Sequence, residues 1–124
     1  MEPRKHKFRI LSFKYAFEGI YAAVKEEPNL KFHILSAFVV ILAGLYFNIS
    51  RFDWIVVILL IALVLTLEMT NTAIEAVVDS FTEAQHPRAK YAKDISAGAV
   101  LILSLAAAAA GLIIFLPYIF SWLS

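Results

Sequence analysis

The chain of 124 residues contains no cysteine. This excludes a disulfide framework, a thiolate metal site and a cysteine nucleophile. Charge is scarce as well: 17% of residues are charged, against about 25% in ordinary soluble domains. The formal net charge is +1, so no strong field recruits nucleic acid, and no nucleic-acid partner is expected. The four glycines form no phosphate cradle. The Walker A pattern G-x-x-x-x-G-K-[ST] is absent, and so is the G-x-S-x-G nucleophile elbow. A nucleotide, if bound, must be held by a cation, carboxylates and basic side chains.

Apolar residues are abundant instead. They make up 61% of the chain, and the mean hydropathy is +0.78. A small domain has the most surface to cover per residue, so this composition argues against an ordinary soluble enzyme. The apolar residues fall into three runs, Ile34 to Asn48, Trp54 to Leu67 and Ala97 to Phe120. A spanning helix needs about 20 residues. The third run suffices alone. The first needs Lys31 to snorkel, and the second must continue through Glu68 toward Asp79. Three such runs in so short a chain leave nothing soluble to bury them. The expectation is an all-α membrane protein of one domain over 1–124, with spans at about 30–49, 54–79 and 95–120. A cleavable signal peptide is not expected, because the first apolar run begins late, after about thirty charged and aromatic residues, and reads as a spanning helix.

Residues 1–28 read as a cytoplasmic or interfacial segment. Phe13, Ala16, Phe17, Ile20, Ala23 and Val24 recur at helical spacing, with Lys14, Glu18, Tyr21 and Lys25 on another face. That pattern predicts an amphipathic surface helix, broken at Pro28. Seven of the eleven basic residues precede the first span, Arg51 alone follows it, and Arg88, Lys90 and Lys93 precede the third. The positive-inside rule then places the N-terminus and the 80–95 loop in the cytoplasm, with a multi-pass protein in the cytoplasmic (inner) membrane. Trp54, Tyr118 and Trp122 fall at the opposite interface.

The segment Glu68–Asp79 carries the chemistry. At about 100° per residue, Glu68, Asn71, Thr72, Glu75 and Asp79 share one helix face. A carboxylate at membrane depth costs about 2.5–3.5 kcal/mol on insertion scales, so the default reading of such acids is functional. A polar interhelical clamp would explain Asn71 and Thr72 but not the two glutamates. Two carboxylates two turns apart can divide labour, one as a general base and one as a ligand for a hard divalent cation. A third acid can come from Glu26–Glu27. The 80–95 loop offers His86, Arg88, Lys90, Lys93 and Asp94. Pro87 suits the first turn of the third spanning helix. His86 lacks a partner at metal-ligand spacing and reads as a contact residue. Lys93, about one helical turn before the third apolar run and expected level with the Glu68–Glu75 stripe, is placed to face a polyanion. Small residues gather in the third span, at Ser96–Ala99 and Ala106–Gly111, where they allow close helix approach. Three helices cannot enclose the stripe, so self-association is expected.

Taken together, Glu68-x-x-Asn71-x-Ala73-Ile74-Glu75-x-x-Val78-Asp79, Ala92-Lys93-Asp94 and Ala97-Gly98-Ala99-Val100 resemble the prokaryotic diacylglycerol kinase family of small membrane lipid kinases. The resemblance runs from about Phe13 to Phe115. Phe13-Lys14-Tyr15-Ala16-Phe17-x-Gly19-Ile20 and Glu27-x-Asn29-x-x-x-His33 are similar to its Gram-positive branch, which phosphorylates undecaprenol. The resemblance implies a homotrimer with composite sites between subunits and ATP with Mg²⁺ as cofactor. It implies Glu68 as catalytic base, Asn71 as a catalytic residue supporting it, and Glu27 and Glu75 as metal ligands that also bind the nucleotide. Tyr15, His86, Lys93 and Asp94 would be nucleotide contacts. The substrate would be a membrane lipid alcohol, undecaprenol or diacylglycerol, phosphorylated at the cytoplasmic face. The rival reading is a small oligomeric proton-coupled transporter with an intramembrane glutamate. It would want polar residues lining both halves of a path.

Overall fold

A computed structural model describes residues 4–82 and 86–124, with side chains from residue 11 onward. The side chains of Arg4, Lys5, Lys7, Phe8 and Arg9 lie outside the described residues, as do positions 83–85 of the 80–95 loop. Four helices follow in order: α1 (Arg4–Glu26), α2 (Pro28–Phe47), α3 (Arg51–Phe81) and α4 (Pro87–Leu123). No strand occurs among the described residues, and α2, α3 and α4 carry the three apolar runs, the first up to Phe47.

The break between α1 and α2 is a single residue. Glu27 is extended, at φ −102° and ψ 109°, because the ring of a following proline disfavours the helical region. Pro28 then starts α2, where its missing N–H is not needed. α2 ends at Asn48 in the left-handed region, at φ 51° and ψ 56°, a conformation asparagine tolerates better than most residues. Ser50 caps α3, its hydroxyl accepting from the Asp53 backbone N–H at 3.1 Å. Asp53 lies in the first turn, where a carboxylate suits the helix dipole. α4 starts at Pro87, and the His86 Nδ1 accepts from the Arg88 N–H at 3.2 Å.

α2 and α4 both pack on α3. Near the short α2–α3 turn, Ile49, Val57 and Ile114 form a buried cluster, with Phe47, Trp54 and Phe115 against it. The Trp54 ring lies on Gly44: a Cβ there would come within 2.7 Å of it, so only glycine allows this approach. The two glycines of α4 do not play that part within one protomer. A Cβ at Gly98 or Gly111 would meet nothing within 4 Å. At this same end Tyr118 of α4 joins the turn. Its hydroxyl donates to Asp53 Oδ2 at 2.7 Å and accepts from the Ser50 N–H at 3.0 Å.

Little of the apolar surface is covered internally. Only 11%, 11% and 6% of the most apolar windows of α2, α3 and α4 are buried, so lipid or neighbouring chains must cover the rest. α3 and α4, with 31 and 37 residues, are roughly 46 and 55 Å long, against about 30 Å of hydrocarbon. Their excess length puts the Asp79–Phe81 end of α3 and the Pro87–Asp94 start of α4 beyond the apolar windows. α1 is exposed along most of its described length, with Phe13 and Phe17 open and Ala23 and Val24 half-buried toward the other helices.

Candidate active site

The acid stripe of α3 faces inward at one end and outward at the other. Glu68 is 3% exposed and Asn71 7%. Thr72 and Glu75 are half-buried, and Asp79 is exposed. Ala73, Ala76 and Val77 face out, as a helical period that segregates polar from apolar side chains requires. The stripe is therefore a ramp that carries carboxylates from the interior to the exposed end of the bundle.

Other elements bring further groups to this ramp. Glu27, half-buried at the start of α2, lies within electrostatic reach of Glu68, as does Glu75. Of the Glu26–Glu27 pair it is thus Glu27 that joins the stripe, while Glu26 ends α1 in the open. Asn71 Nδ2 donates to Glu75 Oε1 at 3.5 Å, and its Oδ1 is buried without a hydrogen-bond partner. A buried orphan acceptor is costly in a folded protein and marks a place where a donor is wanted. The amide thus engages Glu75, and its free oxygen is what remains for any role toward the base.

Lys93 of α4 donates to Asp79 Oδ1 at 2.9 Å. Glu75 and Asp94 are also within its electrostatic reach. Lys93 thus sits at the exposed end of the ramp rather than level with Glu68. Asp94 pairs with Lys90 one turn away. Tyr15 on α1 and His86 before α4 are exposed, and among the described residues no hydrogen bond or ion pair ties either to the acid cluster.

One member of the cluster carries no role in the sequence reading. His33 of α2 places its Nε2 3.8 Å from Glu68 Oε2, with side-chain exposures of 17% and 4%. The available signal was an ionisable residue near the start of an otherwise apolar run, which calls for a named partner. His33 also lines an apolar cleft of about 600 Å³ between α2, α3 and α4, together with Ser36, Val40, Leu65, Ser104 and Phe115. The cleft and the acid cluster therefore share a wall.

Among the described residues no three His, Cys, Asp or Glu side chains form a ready-made metal cage. The chemistry of the donors nonetheless fits magnesium. Mg²⁺ prefers hard oxygen and commonly takes only one or two carboxylates, completing its shell with water and substrate phosphates. Glu27 and Glu75 are two such carboxylates beside the same buried glutamate.

Comparison of the sequence with known proteins places the chain in a family. A sequence profile described as prokaryotic diacylglycerol kinase matches residues 14–115. The chain is 42% identical to the undecaprenol kinase of Bacillus subtilis (strain 168) over 106 residues, covering 86% of each chain. It is 36% identical to a diacylglycerol kinase of Synechocystis sp. over 113 residues, 90% of this chain and 65% of that one. With the diacylglycerol kinase of Haemophilus influenzae the identity is 30% over 93 residues, 75% of this chain and 79% of the relative. Three apolar helices too long and too bare for water, and a profile that spans the acid stripe and Lys93, lead to one conclusion: the chain is an integral membrane protein and belongs to the prokaryotic diacylglycerol kinase family.

Proposed function

We propose that this lipid kinase transfers the γ-phosphoryl group of ATP to the terminal hydroxyl of undecaprenol. The observation that carries the choice of lipid is the 42% identity, over 86% of both chains, to an undecaprenol kinase. The transporter reading finds no support. The matching family is a kinase family, and the acids form a ramp to one end of the bundle rather than a path through both halves.

Phosphoryl transfer demands positioning and charge stabilisation more than covalent chemistry from the protein. In this reading the isoprenoid tail occupies the apolar cleft, whose His33 wall brings the hydroxyl toward Glu68. Glu68 accepts the hydroxyl proton as general base. Asn71 steadies Glu75 and offers its free Oδ1 to the reacting alcohol. Glu27 and Glu75 hold Mg²⁺, which supplies charge neutralisation to the phosphates when bound. Lys93 exchanges Asp79 for phosphate oxygen, a small change for a partly exposed ammonium at the open end of the ramp. Asp94, Tyr15 and His86 contact the nucleotide.

The active unit is a homotrimer with sites shared between subunits. Support comes from the apolar surface that one protomer leaves uncovered and from the open space beside Gly98 of α4. In this reading the N-terminus and the α3–α4 loop face the cytoplasm, in keeping with the distribution of lysine and arginine. α1 lies in that interface with Phe13, Phe17 and Ile20 toward lipid.

The test is transfer of ³²P from γ-labelled ATP to extracted lipid, with undecaprenol and diacylglycerol assayed in the same mixed micelles. Undecaprenyl phosphate is the expected main product. A higher kcat/KM for diacylglycerol would overturn the lipid assignment and leave the kinase in place. Absence of any labelled lipid would overturn the activity.

A further inference from the structure

Glu68 is buried on all sides and carries no hydrogen bond to a backbone or side-chain donor among the described residues. Two groups within its electrostatic reach, Glu75 and Glu27, are like charges. The third, His33, is the only one with a proton to offer, and its Nε2 stands at 3.8 Å. That is an ion-pair distance, about 1 Å longer than a direct hydrogen bond. Catalytic hydrogen bonds are commonly long before substrate arrives and tighten when the site closes.

The rest of the imidazole meets an aromatic neighbour and the cleft. Its ring meets the Phe32 ring edge-on, with centroids 5.8 Å apart, and one face lines the apolar cleft. His33 comes from α2 and Glu68 from α3, so the contact also sets how the cleft wall stands relative to the base. Burial makes the orientation of Glu68 matter. A carboxylate that water cannot reach has no solvent to restore its alignment, and a misplacement of 1 Å in a reacting group can cost about 10²-fold in rate.

We infer that His33 is a positioning residue of the phosphoryl transfer: its Nε2–H holds the Glu68 carboxylate in the orientation that takes the proton from the lipid hydroxyl. The inference rests on the reading of Glu68 as the base. The lipid oxygen loses its proton to Glu68 and forms a bond to the γ-phosphorus. The bond from that phosphorus to the β–γ bridging oxygen breaks, and ADP leaves with the electron pair. His33 neither gains nor loses a proton in this step. Beyond forming part of the cleft wall, it acts on the reacting hydroxyl through Glu68.

The experiment compares His33→Leu, His33→Gln and His33→Asn with Glu68→Gln and the double variant His33→Leu/Glu68→Gln, all purified in the same detergent. Leucine keeps the apolar wall and removes the donor. Glutamine returns an N–H near the Nε2 position, and asparagine falls short of it. For His33→Leu the expected result is a fall in kcat of about 10- to 100-fold, with KM for ATP and binding of a non-hydrolysable ATP analogue unchanged. His33→Gln recovers most of the loss, His33→Asn does not, and the double variant is no slower than Glu68→Gln alone, the non-additivity of groups that act as one unit. Wild-type kcat in His33→Leu, or equal kcat in the Gln and Asn variants, overturns the inference. The Gln–Asn comparison decides the matter if His33→Leu does not assemble. Wild-type turnover in Glu68→Gln brings down the base reading and the role of His33 with it. Loss in Glu68→Gln beside full activity in the His33 variants brings down the inference alone.

Discussion

The two ends of this helical bundle both hold polar groups that reach from one helix to another, yet they are built in opposite ways. At the α2–α3 turn the polar side chains pair with donors and acceptors close at hand. The Tyr118 hydroxyl gives its proton to Asp53 and takes one from the Ser50 N–H, and the Ser50 hydroxyl serves the Asp53 N–H. At the other end acids outnumber their partners. Glu27 and Glu75 both lie within electrostatic reach of Glu68, and Asn71 keeps a buried oxygen without a donor among the described residues. A satisfied network needs nothing more and serves packing. An unsatisfied, like-charged one is held against its own repulsion by the surrounding fold, as expected where a cationic or proton-donating ligand completes the arrangement. Changes at the acid end should therefore move turnover more than stability, and changes at the turn should do the reverse.

The strongest test of this contrast is Glu68→Gln. Glutamine keeps the shape and relieves like-charge crowding, so thermal unfolding in detergent should shift little. A positioned general base contributes about 10²–10⁴-fold, and kcat should fall by that much while ATP-analogue binding persists. Loss of both together would make Glu68 a ligand for nucleotide or metal. Glu75→Gln comes next. A neutral amide is a poor ligand for a hard cation, so activity should drop and the Mg²⁺ concentration for half-maximal rate should rise by about 10- to 100-fold. An unchanged Mg²⁺ titration would remove Glu75 from the metal site.

At the other end the expected effects are smaller and of another kind. Gly44→Ala puts a methyl group within 2.7 Å of the Trp54 ring. Overpacking of this sort costs about 1–3 kcal/mol, seen as a lower unfolding midpoint, with turnover per folded molecule retained. Tyr118→Phe removes the hydroxyl that joins α4 to the turn, and the loss should be about 1 kcal/mol. A large fall in kcat for either variant at the permissive temperature would show that the two ends are coupled rather than separate in function.

Much of this arrangement is legible along the chain. Hydropathy marks α2, α3 and α4, since about 20 apolar residues in a row have few uses besides crossing a bilayer. Pro28 and Pro87 mark helix starts because a proline ring acts on its immediate neighbours. The period of Glu68, Asn71, Glu75 and Asp79 shows one face because the helical repeat is local. The structure keeps that face inward at Glu68 and Asn71 and lets it emerge at Asp79. The small residues of α4 are a different case. Their spacing suggests close helix contact, but within the protomer the tight approach is made by Gly44, a position that composition alone does not single out.

Chain order and side-chain chemistry are enough to set which segments become helices, which face of α3 is acidic, and that the protein belongs in a membrane. All of these depend on interactions within a few residues, or on the sum of apolar area. The pairings of His33 with Glu68, Lys93 with Asp79, and Tyr118 with Asp53 and Ser50 were decided only when the helices packed. Each joins residues from separate helices, or from opposite ends of the chain order, through a few ångströms of space. Which side chains meet there depends on the rotation and depth of one helix against another, and those are set by the packing of whole faces, down to the bare α-carbon of Gly44 that lets the Trp54 ring come close.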